Sequence, residues 1–250
     1  MQERGPAAYA AEFIGTLILV FAVSMVVVGF VPPIEPSALG GAAKFQDFAV
    51  VGLVHAFVLF FLIQTLALIS GAHFNPAVTV GLLAIRQIRA AEAGIYILMQ
   101  LAGGVLGALL TKGLVSGAAG DPVHFGAPAR GGAETLGAAM GAEAIGTFLL
   151  VWAIAGVAVN PTGLKDWSGL AIGATLGFAV MIIAPLTGGS FNPARALGPA
   201  IVGHHFGDAG DWLLTYVLAP GVGAVLAAGG YFWLFVQPGK KGVTGMEPVG

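Results

Sequence analysis

The chain has 250 residues, of which 57% are hydrophobic and 9% charged, and its formal net charge is −2. A soluble domain carries about 25% charged residues, so a mean hydropathy of +0.92 places this chain in a bilayer, and the near-neutral balance leaves no basic surface for nucleic acid. There is no cysteine, which excludes a disulfide framework, a thiolate metal site and a cysteine nucleophile.

From the N-terminus, Met1 to Gly5 lead directly into an apolar run over 8–31. The run lacks a clear cleavage site and is long enough to cross a bilayer, so it reads as a retained helix rather than a signal peptide. A crossing needs about 20 apolar residues. Runs over 48–69, 93–115, 136–159, 168–186 and 212–236 also qualify, which gives six spans, the fifth being short and ending near Pro185. Stretches 76–86 and 193–203 are too short: about ten residues at 1.5 Å each cover about 15 Å, half the hydrocarbon core. They are predicted to be re-entrant half-helices, which a membrane tolerates where irregular backbone is buried in protein or lines a watery path.

Both half-helices open on the same tetrapeptide, Phe74-Asn75-Pro76-Ala77 and Phe191-Asn192-Pro193-Ala194. Asn directly before Pro is a helix-start signal. The Asn side chain caps by accepting from a free backbone N–H, and Pro fits the first helical position because an N–H there would have no partner.

Other segments repeat too. Ala11-Glu12-Phe13-Ile14-Gly15-Thr16 resembles Ala142-Glu143-Ala144-Ile145-Gly146-Thr147, 131 residues later; the Asn-Pro-Ala copies lie 117 apart; Gly103-Gly104-Val105-Leu106 is matched more weakly by Gly223-Ala224-Val225-Leu226, 120 on. The order is kept, so one unit of three spans and a half-helix is duplicated. Repeat 1 covers about 8–115 and repeat 2 about 136–236 of a single domain, with 237–250 as a cytoplasmic tail. Three is odd, so the second copy enters from the opposite face. Such an inverted repeat puts permeation or binding near the midplane. Gly103 and Gly107, Gly137 and Gly141, and Gly169, Gly173 and Gly177 have the spacing that lets helices approach closely in lipid.

With the N-terminus inside, Arg4, Arg86, Arg89, Lys165, Lys240 and Lys241 are cytoplasmic, against Lys44, Lys112 and Arg130 on the other side. The positive-inside rule then predicts a multi-pass protein of the cell membrane with both termini cytoplasmic.

Two half-helices entering from opposite faces meet by their N-termini, each carrying about +0.5 of a charge and unsatisfied N–H donors. That potential repels cations, including hydronium. If Asn75 and Asn192 cap their own helices through oxygen, their amide NH2 groups are free to face the path. A passing water must accept from both, which interrupts the donor–acceptor order that a proton hop requires.

At this point the chain resembles the aquaporin, or major intrinsic protein, family. The signature loops are similar to Ser70-Gly71-Ala72-His73-Phe74-Asn75-Pro76-Ala77-Val78-Thr79 and Phe191-Asn192-Pro193-Ala194-Arg195, and the likeness runs from Ala11 to about Phe235. The resemblance implies an all-α membrane fold of six tilted helices plus two half-helices and passive flow of water or small neutral solutes. It also implies a homotetramer with one pore per subunit, no cofactor and no metal.

A charge inside the membrane costs about 2.5–3.5 kcal/mol on insertion scales and marks a pathway. By resemblance, Arg195 belongs to a constriction on the extracellular side, with His55, Val180 and Gly189 as its partners. This quartet departs from strict water channels and further from glycerol facilitators, and is most similar to the plant tonoplast class. A smaller aliphatic at Val180 and no side chain at Gly189 imply a wider, less polar opening. Ammonia, hydrogen peroxide and urea then join water as candidate permeants. His124 resembles a loop His of that class that reaches the filter Arg; a solvated loop His is the alternative. His204 and His205 beside Asp208 and Asp211 read as loop residues, because neighbours at i and i+1 share no helix face. Ala196, Ala200 and Tyr216 argue against the glycerol branch, whereas Val217 stands where water channels usually carry Trp.

Glu12 and Glu143 occupy matching places in the repeats. The resemblance implies that they accept hydrogen bonds from the re-entrant loops, with His73 and Gln100 assisting, since non-helical N–H groups at membrane depth need partners. A secondary carrier would use them for proton coupling instead. A glycerol-type facilitator is the other alternative. For an enzyme, no His-x-x-x-His or paired-carboxylate motif is visible.

Overall fold

The computed structural model of the chain describes residues 5–31, 46–131 and 135–237. Arg4, Lys44, Lys240 and Lys241, on which part of the predicted orientation rests, and the tail from 238 onward lie outside the described residues.

In chain order the elements are α1 (Pro6–Phe30), α2 (Phe48–Ser70), the half-helix α3 (Pro76–Ala84), α4 (Ala90–Leu114), α5 (Leu136–Val159), α6 (Lys165–Thr187), the half-helix α7 (Pro193–Val202) and α8 (Ala209–Val236). The fold is all-helical among the described residues, and the six long helices are the predicted spans. The fifth is longer than its apolar run, because α6 starts at Lys165 and passes Pro185 to end at Thr187. Pro185 lies in the last turn, so its missing N–H removes one bond without ending the helix.

Packing repeats with the sequence. Helix α1 lies along α4, and α5 along α8; α2 and α6 lie against each other. Each half-helix crosses into the other repeat: α7 packs on α4, and α3 on α8. The predicted inversion is thus seen as exchanged contacts.

The outer surface is apolar, with Phe57, Leu68 and Trp233 exposed, and the interior holds the polar groups Glu12, Gln100, Glu143 and Arg195. In lipid, hydrophobicity does not drive helices together, and close backbone approach has to. A Cβ on Gly103 would meet Phe13 O at 2.3 Å, and one on Gly223 would meet Ala144 O at 2.1 Å. The stripe Gly169, Gly173, Gly177 packs on α2 in the same way. Gly137 and Gly141 do not pack as expected: among the described residues nothing lies within 4 Å of a Cβ built on either. They sit on a face of α5 turned away from its neighbours.

Candidate functional site

The two Asn-Pro-Ala segments meet at the centre. Asn75 Oδ1 accepts from Ala77 N at 2.8 Å, and Asn192 Oδ1 accepts from Ala194 N at 2.9 Å and Arg195 N at 3.3 Å. Pro76 and Pro193 open the helices, and Ala77 and Ala194 are buried behind them. The amide groups differ from the expectation. Asn75 Nδ2 donates to Phe191 O at 2.8 Å, and Asn192 Nδ2 donates to Phe74 O at 2.9 Å. One amide hydrogen of each Asn therefore ties the two loops together, and the other takes no part in that bond. Phe74 and Phe191 turn their carbonyls this way with φ of 47° and 52°.

Strained loops at membrane depth need fixed partners, and the two buried carboxylates supply them. Glu12 accepts from Ser70 Oγ (2.6 Å), His73 N (3.0 Å), Phe74 N (2.7 Å) and Gln100 Nε2 (2.8 Å). Glu143 accepts from Thr187 Oγ1 (2.7 Å), Ser190 N (2.9 Å) and Phe191 N (2.7 Å). Three residues after each carboxylate, the repeats carry Gly15 and Gly146, whose Cβ positions would lie 2.1 Å from the Phe74 and Phe191 rings respectively. The carboxylate holds the loop and the glycine admits its Phe. His73 Nδ1 lies 3.1 Å from Thr79 Oγ1, which Gln100 Nε2 also reaches at 3.0 Å. Two tyrosines escaped the sequence reading as loop supports. Tyr96 Oη donates to Ser70 O at 2.7 Å, and Tyr216 Oη donates to Thr187 O at 2.8 Å. Their 120-residue spacing matches the weaker repeat and was a usable signal.

Two cavities meet at Arg195. The inner one, about 80 Å³, is lined by His55, His73, Asn75, Ser190, Asn192 and Arg195 among others. The outer one, about 380 Å³, is bounded by His124, Gly126, Gly188, Arg195 and His205 among others. Arg195 Nη1 donates to Gly126 O at 2.8 Å, and its buried Nε has no partner among the described residues. His55 Nδ1 lies 2.8 Å from Val51 O, so the proton sits there, and the buried Nε2 is left without a partner among the described residues. In the neutral ring that nitrogen is an acceptor. Near the junction, one acceptor and one donor thus have no hydrogen-bond partner among the described residues.

Val180 and Gly189 line neither cavity. Val180 is fully buried in the main apolar core, at the level of α6 that lies on Gly52 and Ala56, one turn from His55. Gly189, at φ 58°, sits between Gly188 on the outer wall and Ser190 on the inner one.

The repeat offers a comparison that sequence reasoning missed. Shifted by 117 residues, His55, Val180, Gly189 and Arg195 correspond to Ile172, Ile63, Ala72 and Val78. All four of these line the inner cavity. One scaffold is therefore apolar on one side of the midplane and carries the polar pair on the other.

His124 shares the outer cavity with Arg195, but its ring stacks on His205, with centroids 3.7 Å apart and planes 10° from parallel. The loop touches the Arg195 guanidinium through the Gly126 carbonyl instead. Burial, and then the neighbouring His124, hold His205 below the ordinary histidine range. Lys112 anchors the same corner, donating to Val202 O at 3.0 Å with its ammonium 5.2 Å over the Phe125 ring.

Compared with known proteins, the family model described as Major intrinsic protein matches residues 4–231. The chain is 39% identical to Glycerol uptake facilitator protein-like 6 of Lactiplantibacillus plantarum, over 88% of this chain and 94% of that one. It is 37% identical to Probable aquaporin AqpM of Archaeoglobus fulgidus, over 93% and 97%. With Aquaporin TIP2-3 of Zea mays it shares 36% over 92% and 88%. The solved structure of the aquaglyceroporin from Plasmodium falciparum superposes with a TM-score of 0.77, covering 94% of this chain and 99% of that one; at 23% identity the likeness is one of fold.

Proposed function

The chain belongs to the major intrinsic protein family, whose members are channels and not enzymes, and within it we propose a passive water channel that refuses protons and ions and also admits ammonia, hydrogen peroxide and urea. The observation that carries this is the junction of the cavities, where His55 Nε2 and Arg195 Nε are buried and have no partner among the described residues. A permeant crossing there donates to one and accepts from the other, as water does. A cation meets Arg195 and two half-helix N-termini. The apolar counterpart Ile63, Ala72, Val78 and Ile172 leaves chemical choice to the polar side, which supports His55 and Arg195 as the filter. Val180 and Gly189 act by their small size. Asn75, Pro76, Ala77, Asn192, Pro193 and Ala194 form the central constriction, and His124 shapes the entrance.

The glycerol-facilitator reading is favoured by the name of the Lactiplantibacillus relative. Ala196 and Ala200, both fully buried, speak against it. Stopped-flow light scattering on proteoliposomes with water, glycerol, urea and ammonia decides between them. Water flow with low activation energy and slow glycerol entry are expected; glycerol passing as fast as water with Arg195 in place overturns the narrow filter. Saturation at modest solute concentration would mark a carrier. His55→Phe should narrow the solute range and largely retain water flow, and an unchanged solute profile would remove His55 from the filter.

The setting we propose is the cell membrane, with both termini cytoplasmic and a homotetramer with one pore per subunit. The excess of basic residues on the inner loops supports the orientation. The outward face at Gly137 and Gly141 leaves room for a helix of another copy.

A further inference from the structure

A third cavity of about 310 Å³ lies on the flank of the molecule and shares no lining residue with the two cavities at Arg195. Its sides include Ile97 and Leu101 of α4 and Trp212 and Val217 of α8, and its floor is Pro76 and Pro193, the first residues of both half-helices. Among the described residues its wall carries no charged side chain, and the Trp212 indole is its one polar side chain. On α8 the wall runs from Trp212 to Gly221, about 13 Å at 1.5 Å per residue. That is close to the depth of one leaflet, half of a roughly 30 Å hydrocarbon core. The floor lies where the half-helices meet, at the midplane. The groove therefore descends from the membrane surface at the start of α8 to the bilayer centre.

We infer that this groove is a binding site for one acyl chain of a bilayer phospholipid, with the chain end against Pro76 and Pro193 and the glycerol ester beside Trp212. The groove lies in the flank of a membrane-spanning protein, is apolar along its length and is one leaflet deep. A lipid chain is the occupant of that chemistry and shape which the surroundings supply. The second observation is at its upper end. Trp212 is 6% exposed and its Nε1 is buried with no hydrogen-bond partner among the described residues. A buried indole N–H ordinarily has an acceptor, and an ester carbonyl brings one. The site places lipid carbon against the outer faces of the residues that start both half-helices.

The test uses the full chain with one tryptophan left at a time, since Trp152, Trp167, Trp212 and Trp233 are its four. Each is reconstituted in phosphatidylcholine vesicles brominated along the acyl chain, a contact quencher of indole fluorescence. Trp233 is 65% exposed and serves as the lipid-facing reference. Trp212 should be quenched as strongly as Trp233, and Val217→Phe, which fills the groove, should abolish the Trp212 quenching and leave that of Trp233 unchanged. A Trp212 that escapes quenching, whether shielded by protein or by a second copy of the chain, overturns the proposal; so does quenching unaffected by Val217→Phe. Native mass spectrometry of the otherwise unaltered protein gives an independent reading. One phospholipid should be retained after detergent washing and lost in Val217→Phe, and equal retention in both counts against the site.

Discussion

Removing the Glu12 carboxylate tests whether the buried acids hold the loops or move protons. In Glu12→Ala, four donors lose their acceptor: Ser70 Oγ, His73 N, Phe74 N and Gln100 Nε2. The hydroxyl and the amide side chain can turn toward other partners, whereas the two backbone N–H groups cannot. Each unpaired buried donor costs about 1–3 kcal/mol, so the pair costs about 2–6 kcal/mol. Total stabilities run to about 5–15 kcal/mol, so a large part is lost. In Glu12→Gln, an NH2 replaces one oxygen. Whichever way the amide turns, one backbone N–H faces it, that of His73 or that of Phe74, and the cost is about 1–3 kcal/mol. Thermal midpoint in detergent and folded yield should rank wild type above Glu12→Gln and Glu12→Gln above Glu12→Ala. Water permeability in liposomes should fall in the same order, because Asn75 follows the two released residues. Glu143→Gln should resemble Glu12→Gln, since it strands either Ser190 N or Phe191 N. A Glu12→Ala protein with wild-type midpoint and flow would refute the anchoring argument. Normal folding with selective loss of a pH dependence in flux would instead point to proton coupling.

Gly146→Ala sets a Cβ 2.1 Å from the fully buried Phe191 ring; overpacking of this kind costs about 1–3 kcal/mol. Thermal midpoint and water flow should both drop, and Phe191→Leu on the same background should recover part of the midpoint, as read by a double-mutant cycle. For His205, His124→Ala removes a cause of its lowered pKa, so its NMR titration should move up toward about 6.5. A lowered folded value means that wild type loses stability as pH falls below the ordinary histidine range, and the variant should lose less; a downward move of the titration would contradict the stacked geometry. With no cysteine in the chain, mercuric chloride should leave water flow unchanged in liposomes of purified protein, and reversible inhibition would show a site other than a thiol.

The elements were legible because their signals are local. Span length and Asn-Pro starts are properties of contiguous residues, the 117-residue spacing compares two such short segments, and a bilayer permits few ways to satisfy the backbone. An odd number of spans per repeat then forces the inversion, which appears in the structure as α3 packed on α8 and α7 on α4. Glu12 and Glu143 stood out because an unexplained acid in an apolar run needs donors, and the re-entrant loops were the segments with N–H groups to give.

What remained hidden depends on where distant segments cross. The Asn75 amide meets Phe191 O, 116 residues away, and Arg195 meets Gly126 O, 69 residues away. Gly126 lies in a loop with neither period nor cap to place it. The stacking of His124 on His205 joins two loops that the sequence does not pair, and the burial of Val180 in the core is set by helix rotation, which an apolar run in lipid leaves undefined because its two faces have similar hydropathy. The pair of Asn-Pro-Ala segments, the span count and the inverted order were thus determined by the sequence alone. The tertiary structure decided that one hydrogen of each Asn amide bonds the opposite loop, and that His55 and Arg195 line one cavity together. Hydrogen bonds are directional and short-ranged, so their partners exist only once the helices have packed.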